Sequence, residues 1–207
     1  MCVEPSDVVM LVLASGRGNR IGGPKALLHW TDGHLLATAH ANTGSMVCGR
    51  VVVVARAYVA RLLRPHLSHE MSNAMVVTSS APGPLGPAGS IAAAVRAGVL
   101  RGMSWSLVTP VDAVPVVPST LRSLYAAAVA GVQAVRPHFD GRGGHPVLIR
   151  SEILSNAYLA ERPNPLRDVL RSVRCAIACV DDPRVVIDIN TPDAYEAWTK
   201  MKPQFES

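Results

Sequence analysis

Strand-length runs of apolar residues alternate along this chain with longer segments in which Ala, Leu and Val recur at helical spacing among Arg and Ser. The runs predict strands over residues 8–14, 50–55, 74–78, 105–109, 132–136, 146–149, 176–180 and 185–188. The segments between them predict helices near 35–45, 58–67, 89–101, 118–130, 151–159, 165–172 and 192–201. The stretches VVMLVLA and VVVVA are apolar at every position instead of every second one, the mark of parallel strands covered on both faces. A strand and helix order repeated in this way implies a doubly wound α/β sheet, which binds its ligands at the carboxyl ends of its strands. The richest Pro/Gly break, APGPLGPAG at 81–89, falls between a strand and a helix and reads as an active-site loop; no repeat or linker divides the chain.

At 207 residues, 49% of them hydrophobic, the chain can bury a sizeable core within one domain. Aromatic residues make up only 4%, too few for a platform on which bases stack. The net charge of +5 comes from arginines spread along the sequence, which fits an anionic small molecule better than a nucleic-acid groove. No apolar run reaches membrane-spanning length, so neither nucleic acid nor membrane is an expected partner. Cys2, Cys48, Cys175 and Cys179 lack CxxC spacing, and MCVEPSDVVM has no basic segment before its apolar stretch; both point to a reducing cytoplasm. Cys175 and Cys179, at even spacing on a predicted strand, read as buried thiols rather than metal ligands.

The loop LASGRGNRIGGPK, residues 13–25, adds chemistry to this frame. It follows the first apolar run, carries Arg17 and Arg20, and ends in Lys25. The twenty basic residues are arginines except for Lys25, Lys200 and Lys202, so a lysine here suggests a position suited to a compact ammonium instead of a planar guanidinium. The loop is not a Walker A motif, because Pro24 takes the lysine position; nor is it a dinucleotide fingerprint, because Ile21 takes the place of a glycine. What remains is a strand and a long turn whose backbone amides can face a phosphate chain, with Arg20 and Lys25 to neutralise it. On the loop alone, a Gly-rich turn with solvated cations is the other reading.

Leu13-Ala14-Ser15-Gly16, Arg20, Gly22 and Lys25 resemble the LAxGxxxRxGxxK motif of the MobA/MocA-like nucleotidyltransferases, which attach a nucleotide to the phosphate of molybdopterin. Gly89-Ser90-Ile91, Val111-Asp112, Gly144-His145-Pro146-Val147-Leu148 and DINTPDAY at 188–195 resemble further motifs of that family, in its order. The likeness thus runs from about residue 8 to residue 198. It implies one nucleotidyltransferase domain over 1–207, a single-domain Rossmann-like three-layer α/β/α fold with a mostly parallel, mixed sheet. It also implies a nucleotide site at Leu13, Ala14, Ser15, Gly16, Arg17, Gly18, Arg20, Lys25, Gly89 and Ser90, catalytic roles for Arg20, Lys25 and Asp112, and an acceptor contact at His145.

Asp112 is the only aspartate between Asp32 and Asp140 and follows the strand WSLVT at the expected ligand edge. A carboxylate there can hold Mg²⁺ between the α-phosphate and the attacking group, and between Pro110 and Pro115 it can also fix a bend. Asp188 and Asn190 alternate on a predicted strand end and share a face, so either can be the second metal ligand. Asn190 or Thr191 ahead of Pro192 also makes a good helix start. Cytidylyl members of the family resemble DIDTP at this point and guanylyl members NINTP; DINTP is intermediate, so the base stays open. Ser90 reads as a helix cap or as a ribose or base contact, and His145 on its own reads as a turn residue. Arg136, Arg142 and Arg150 flank the turn around His145 and are candidates to meet an anionic acceptor.

The expected activity is a Mg²⁺-dependent transfer of NMP from an NTP, CTP or GTP, to a small anionic phosphomonoester with release of pyrophosphate. By the resemblance that acceptor is molybdopterin, and a molybdoenzyme apo-protein is the further partner. Two other readings stand beside it: the same transfer onto phospholactate or a sugar phosphate, and a non-catalytic module that binds the molybdenum cofactor and delivers it.

Overall fold

Residues 3–79, 86–160 and 163–207 are described by a computed structural model. In chain order they form β1 (Val8–Ala14), α1 (Leu36–Ser45), β2 (Arg50–Ala55), α2 (Ala57–Glu70), β3 (Ala74–Thr78), α3 (Gly86–Arg96), β4 (Trp105–Pro110) and α4 (Pro118–Ala127). There follow β5 (Ala134–Phe139), β6 (Arg142–Gly143), β7 (Val147–Arg150), α5 (Ser151–Tyr158), α6 (Leu166–Arg171), β8 (Cys175–Cys179) and α7 (Pro192–Thr199). Every residue of β1 is buried. Its side chains alternate between two cores: Val8, Met10 and Val12 pack in a layer with α1, α2, α4 and α7, whereas Val9, Leu11 and Leu13 pack with α3, α5 and α6. Full burial of such a side chain contributes roughly 1.5–3 kcal/mol, so an all-apolar strand is stable only with helices on both faces.

The described strands form one sheet in the order β3-β2-β1-β4-β7-β5-β6, with β8 paired to β5. Parallel pairing joins β3 to β2, β2 to β1 and β1 to β4, and again β5 to β8; β7 runs antiparallel between β4 and β5. The sheet is therefore mostly parallel and mixed, within a three-layer α/β fold, as expected. Its reversed region has a local cause. Asp140 and Gly141 both have positive φ (48° and 72°) and close a two-residue hairpin from β5 to β6, the turn that an Asp-Gly pair favours. The chain then breaks at Gly144 and a cis His145–Pro146 bond before resuming as β7.

Several expectations are corrected. The strand expected over 185–188 is a 3-10 turn, Pro183–Val186: Asp182 Oδ1 accepts the Arg184 amide at 3.1 Å and Pro183 fixes the first position, leaving Asp188 a single bridge to Ala113. The helix expected over 89–101 runs instead over Gly86–Arg96, because Gly98 at φ 72° ends it. Gly89 and Ser90 consequently lie inside α3, and Ser90 is not its cap. Cys175 and Cys179 are exposed, not buried; among the described strands β8 pairs with β5 alone, at the edge of the sheet. Cys2 and residues 81–85 of the Pro/Gly loop lie outside the described residues.

Candidate functional site

The crossovers on either side of β1 and β4 run in opposite directions along the sheet, and such a switch point leaves a crevice beyond the strand ends. A cleft of about 560 Å³ lies there. Its walls are Leu13, Ser15, Gly16, Arg17, Gly18, Asn19, Arg20 and Lys25 after β1, Gly86, Pro87 and Ser90 of α3, and Pro110, Val111 and Asp112 at the end of β4.

The loop after β1 folds back on itself. The amides of Ile21, Gly22 and Gly23 all donate to the Gly18 carbonyl, at 3.0, 3.1 and 3.2 Å, so residues 15–20 are the part left lining the cleft. Gly18 has φ 68°, and a Cβ built there would lie 1.7 Å from the Gly23 carbonyl oxygen. Only glycine fits this turn. Ser15, at the strand end, is anchored by its hydroxyl donating to the Val54 carbonyl at 3.2 Å.

Opposite the loop, two segments far apart in sequence meet. Ile189 N–H donates to the Asp112 carbonyl at 2.6 Å, Val114 N–H donates to the Ile187 carbonyl at 3.0 Å, and Ala113 bridges Asp188. This short antiparallel contact brings the Asp112 and Asp188 carboxylates and the Asn190 amide to one place. Lys25 Nζ donates to Asp112 Oδ2 at 2.9 Å and to Asn190 Oδ1 at 2.8 Å, and Arg20 Nη2 donates to the same Asn190 oxygen at 2.8 Å. The Lys25 side chain is only 11% exposed, so a compact ammonium reaches a partly buried pair of acceptors, as its isolation among arginines suggested. Thr191, not Asn190, caps α7 by accepting the Ala194 amide at 3.2 Å, which leaves Asn190 for the cluster.

The electrostatics follow from this crowding. Asp188 is at the surface, yet its carboxyl is pushed up, first by partial loss of water and then by the neighbouring Asp112 carboxylate; His145 and Lys25 oppose the shift. His145 is pushed down by burial, against the pull of the Asp188 carboxylate, and its buried Nδ1 has no hydrogen-bond partner among the described residues. It does not line the main cleft but stands beside the carboxylates. Gly144 before it is packed so tightly that a Cβ would lie 1.8 Å from the Val185 carbonyl oxygen.

The structure thus gathers Leu13, Ser15, Gly16, Arg17, Gly18, Arg20, Lys25, Ser90 and Asp112 around the cleft and sets Asn190 and Asp188 at its edge. Ala14 and Gly89 are not among the lining residues. Asn19, Pro87 and Val111 also line it; the sequence placed them in the loop 13–25, the Pro/Gly break and the Val111-Asp112 motif without giving any of them a role in the site. A residue missed altogether is His40 of α1. It is 2% exposed, and its Nε2–H donates to the Ala113 carbonyl at 2.8 Å, holding the loop that carries Asp112. Burial lowers its pKa to about 4, so the ring is neutral. The available signal was its spacing: His40 follows Leu36 by four residues, on the buried face, where a polar ring requires a partner.

No described helix is long and apolar enough to cross a membrane. A family profile described as MobA-like NTP transferase domain matches residues 10–179. A protein of Rhodopirellula baltica named probable molybdenum cofactor guanylyltransferase is 32% identical over 108 residues, 52% of this chain and 49% of that protein, so the match spans about half of the relative's length. The fold is shared with Rv0371c of Mycobacterium tuberculosis H37Rv, at 21% identity over 97% of this chain and 100% of that one with a TM-score of 0.74; that protein has also been solved in complex with manganese. It is shared too with molybdopterin-guanine dinucleotide biosynthesis protein A of Archaeoglobus fulgidus, at 22% identity over 93% and 100% of the two chains with a TM-score of 0.64. Since the profile runs from the first strand, through the cleft and the Asp112 loop, to the last strand, the chain belongs to the MobA-like NTP transferase family and is a nucleotidyltransferase.

Proposed function

We propose that this nucleotidyltransferase transfers GMP from GTP to the phosphate of molybdopterin. The observation that carries the reading is the convergence, in and at the edge of one switch-point cleft, of a glycine-bent loop, the cations of Arg20 and Lys25, and the carboxylates of Asp112 and Asp188. The choice of base follows the guanylyltransferase relative from Rhodopirellula baltica, and the choice of acceptor follows the same relative. An oxygen of the acceptor phosphate attacks the α-phosphorus; the new P–O bond forms as the bond from that phosphorus to the oxygen bridging to the β-phosphorus breaks, and pyrophosphate leaves.

A divalent cation fits the residues present. Asp112 and Asp188 are like charges drawn together by backbone pairing, Asp188 is pushed up in part by Asp112, and the donors are hard oxygens. Asp112, Asp188 and the Asn190 amide oxygen would hold Mg²⁺, which when bound neutralises charge on the α-phosphate. The chain's own groups do the rest. Residues 15–20 seat the triphosphate, Arg20 and Lys25 balance its charge on the leaving-pyrophosphate side, and His145 stands at the acceptor side of Asp188.

The test is pyrophosphate release by purified protein with molybdopterin, phospholactate or a sugar phosphate as acceptor and each of GTP, CTP, ATP and UTP, with and without Mg²⁺. GTP is expected to support turnover that EDTA abolishes. Turnover with CTP alone overturns the base, and turnover only with phospholactate or a sugar phosphate overturns the acceptor.

A further inference from the structure

The phosphate-facing loop has a backing that the reaction does not require in any obvious way. Residues 204–206 run antiparallel to residues 27–29, immediately after Lys25: His29 N–H donates to the Gln204 carbonyl at 2.8 Å, Glu206 N–H donates to the Leu27 carbonyl at 2.9 Å, and Leu28 bridges Phe205. The Glu206 carboxylate lies 3.7 Å from His29 Nε2 and 3.5 Å from Nε2 of His66 on α2, tying this segment to the body of the protein. The Tyr195 hydroxyl of α7 donates to the His29 carbonyl from another direction. The Phe205 ring then reaches forward to the loop itself. A Cβ on Gly23 would lie 3.0 Å from it, so the ring is seated against that glycine's backbone. Gly23 N–H in turn closes the turn on Gly18, a residue of the cleft wall.

We propose that residues 204–206 form a brace that sets the shape of the nucleotide loop, with Phe205 as its positioning residue. The ring presses on Gly23, Gly23 fixes the Gly18 turn, and the backbone pairing at 27–29 holds the far end of the loop where Lys25 starts. Phe205 touches no reacting group. Its effect is on the loop's readiness to receive a triphosphate, and this inference rests on reading the cleft as the nucleotide site. A brace of this kind stabilises ground-state and transition-state binding of the triphosphate alike, so its loss raises KM and spares kcat.

The experiment compares the full-length protein with Phe205→Ala, Phe205→Leu, Gly23→Ala and the double variant Gly23→Ala with Phe205→Ala. Backbone amide exchange in the absence of nucleotide comes first. Phe205→Ala is expected to speed exchange at Ile21, Gly22 and Gly23 by about tenfold or more while amides of β1 keep their protection, and Phe205→Leu is expected to restore most of it. With GTP as the probe, KM is expected to rise about tenfold in Phe205→Ala with kcat within about twofold. Gly23→Ala, whose methyl meets the ring, is expected to raise KM as well. The double variant, which has room for that methyl, is expected to be no worse than the poorer single variant, whereas independent effects would multiply to about a hundredfold. Unchanged loop exchange in Phe205→Ala overturns the brace, as does multiplicative behaviour of the double variant or a loss confined to kcat. Faster loop exchange in a protein that binds no nucleotide supports the brace and sinks only the reading of the cleft.

Discussion

The Lys25 ammonium lies 2.9 Å from Asp112 Oδ2 and 2.8 Å from Asn190 Oδ1, so one cation joins the end of β4 to the turn that leads into α7. Removing it takes a preorganised charge from the cleft and leaves the core untouched. Lys25→Ala is expected to lower turnover by roughly 10²–10³-fold. The thermal midpoint should move by no more than about 4 °C, the shift that ~1 kcal/mol produces in a chain of this size. Lys25→Arg should not rescue it, because the larger planar guanidinium does not fit the nearly buried point from which one Nζ reaches both acceptors. Pyrophosphate release at saturating nucleotide, read beside thermal melts, decides this; near-normal turnover in Lys25→Ala removes the lysine from the mechanism.

Two glycines should separate folding from binding. A methyl at Gly144 would meet the Val185 carbonyl oxygen at 1.8 Å, and that oxygen is backbone that cannot swing aside. Gly144→Ala is therefore expected to cost about 1–3 kcal/mol of stability, measured as a lower urea midpoint. Gly16 lines the cleft, and a methyl there would meet nothing within 4 Å. Gly16→Ala should unfold at the wild-type midpoint yet bind nucleotide more weakly. Wild-type nucleotide affinity in Gly16→Ala would show that the ligand does not approach this part of the wall.

The first half of the fold was legible because its strands carry their signal locally. Residues 8–14, 50–55 and 74–78 are apolar runs bounded by polar turns, and they are β1, β2 and β3 to the residue. The second half was harder, for reasons specific to it. Val185 and Val186 look like a strand, but Asp182 and Pro183 wind them into a 3-10 turn. The reversal of β7 depends on a hairpin whose signal, Asp140-Gly141, is only two residues long. In the site, Arg20, Lys25 and Asp112 were readable as types in suggestive places. That Asn190 accepts from both cations, and that His40 holds the Asp112 loop, depends on contacts between distant segments that no local pattern encodes.

His40 gives a pH prediction with a definite sign. Its pKa falls from 6.5 to about 4 on folding because the buried site excludes the charged ring. Between those values the unfolded chain binds a proton that the folded protein does not. Stability from this group is thus complete above about pH 6.5 and is lost as pH falls toward 4, about 3 kcal/mol in all. Urea unfolding at pH 7 and pH 4.5 should show a smaller loss in His40→Gln than in the wild type. Equal losses in the two proteins would mean that another group carries the acid sensitivity.

The thiols differ sharply in access. Cys175 and Cys179 are exposed on β8, whereas Cys48 is buried, meets the Tyr125 hydroxyl at 3.3 Å, and is pushed up to about 11 by burial. In the folded protein an aromatic disulfide reagent is expected to label Cys175 and Cys179 and to reach Cys48 only after denaturation. Peptide mapping that finds Cys48 modified at the same rate contradicts this arrangement.

Asn190 meets Arg20 and Lys25 across 170 and 165 residues of sequence. During synthesis, the strands that build β1, β2 and β3 are available early, but a chain that has not yet produced residues 187–190 lacks the segment that pairs with the backbone of the Asp112 loop and the Asn190 oxygen that both cations share. Assembly of the site is therefore a late event in the life of each molecule, one that pairing across such a long separation makes slow. A chain halted before that point has the residues of every named strand but lacks Asp188 and Asn190 of the candidate site.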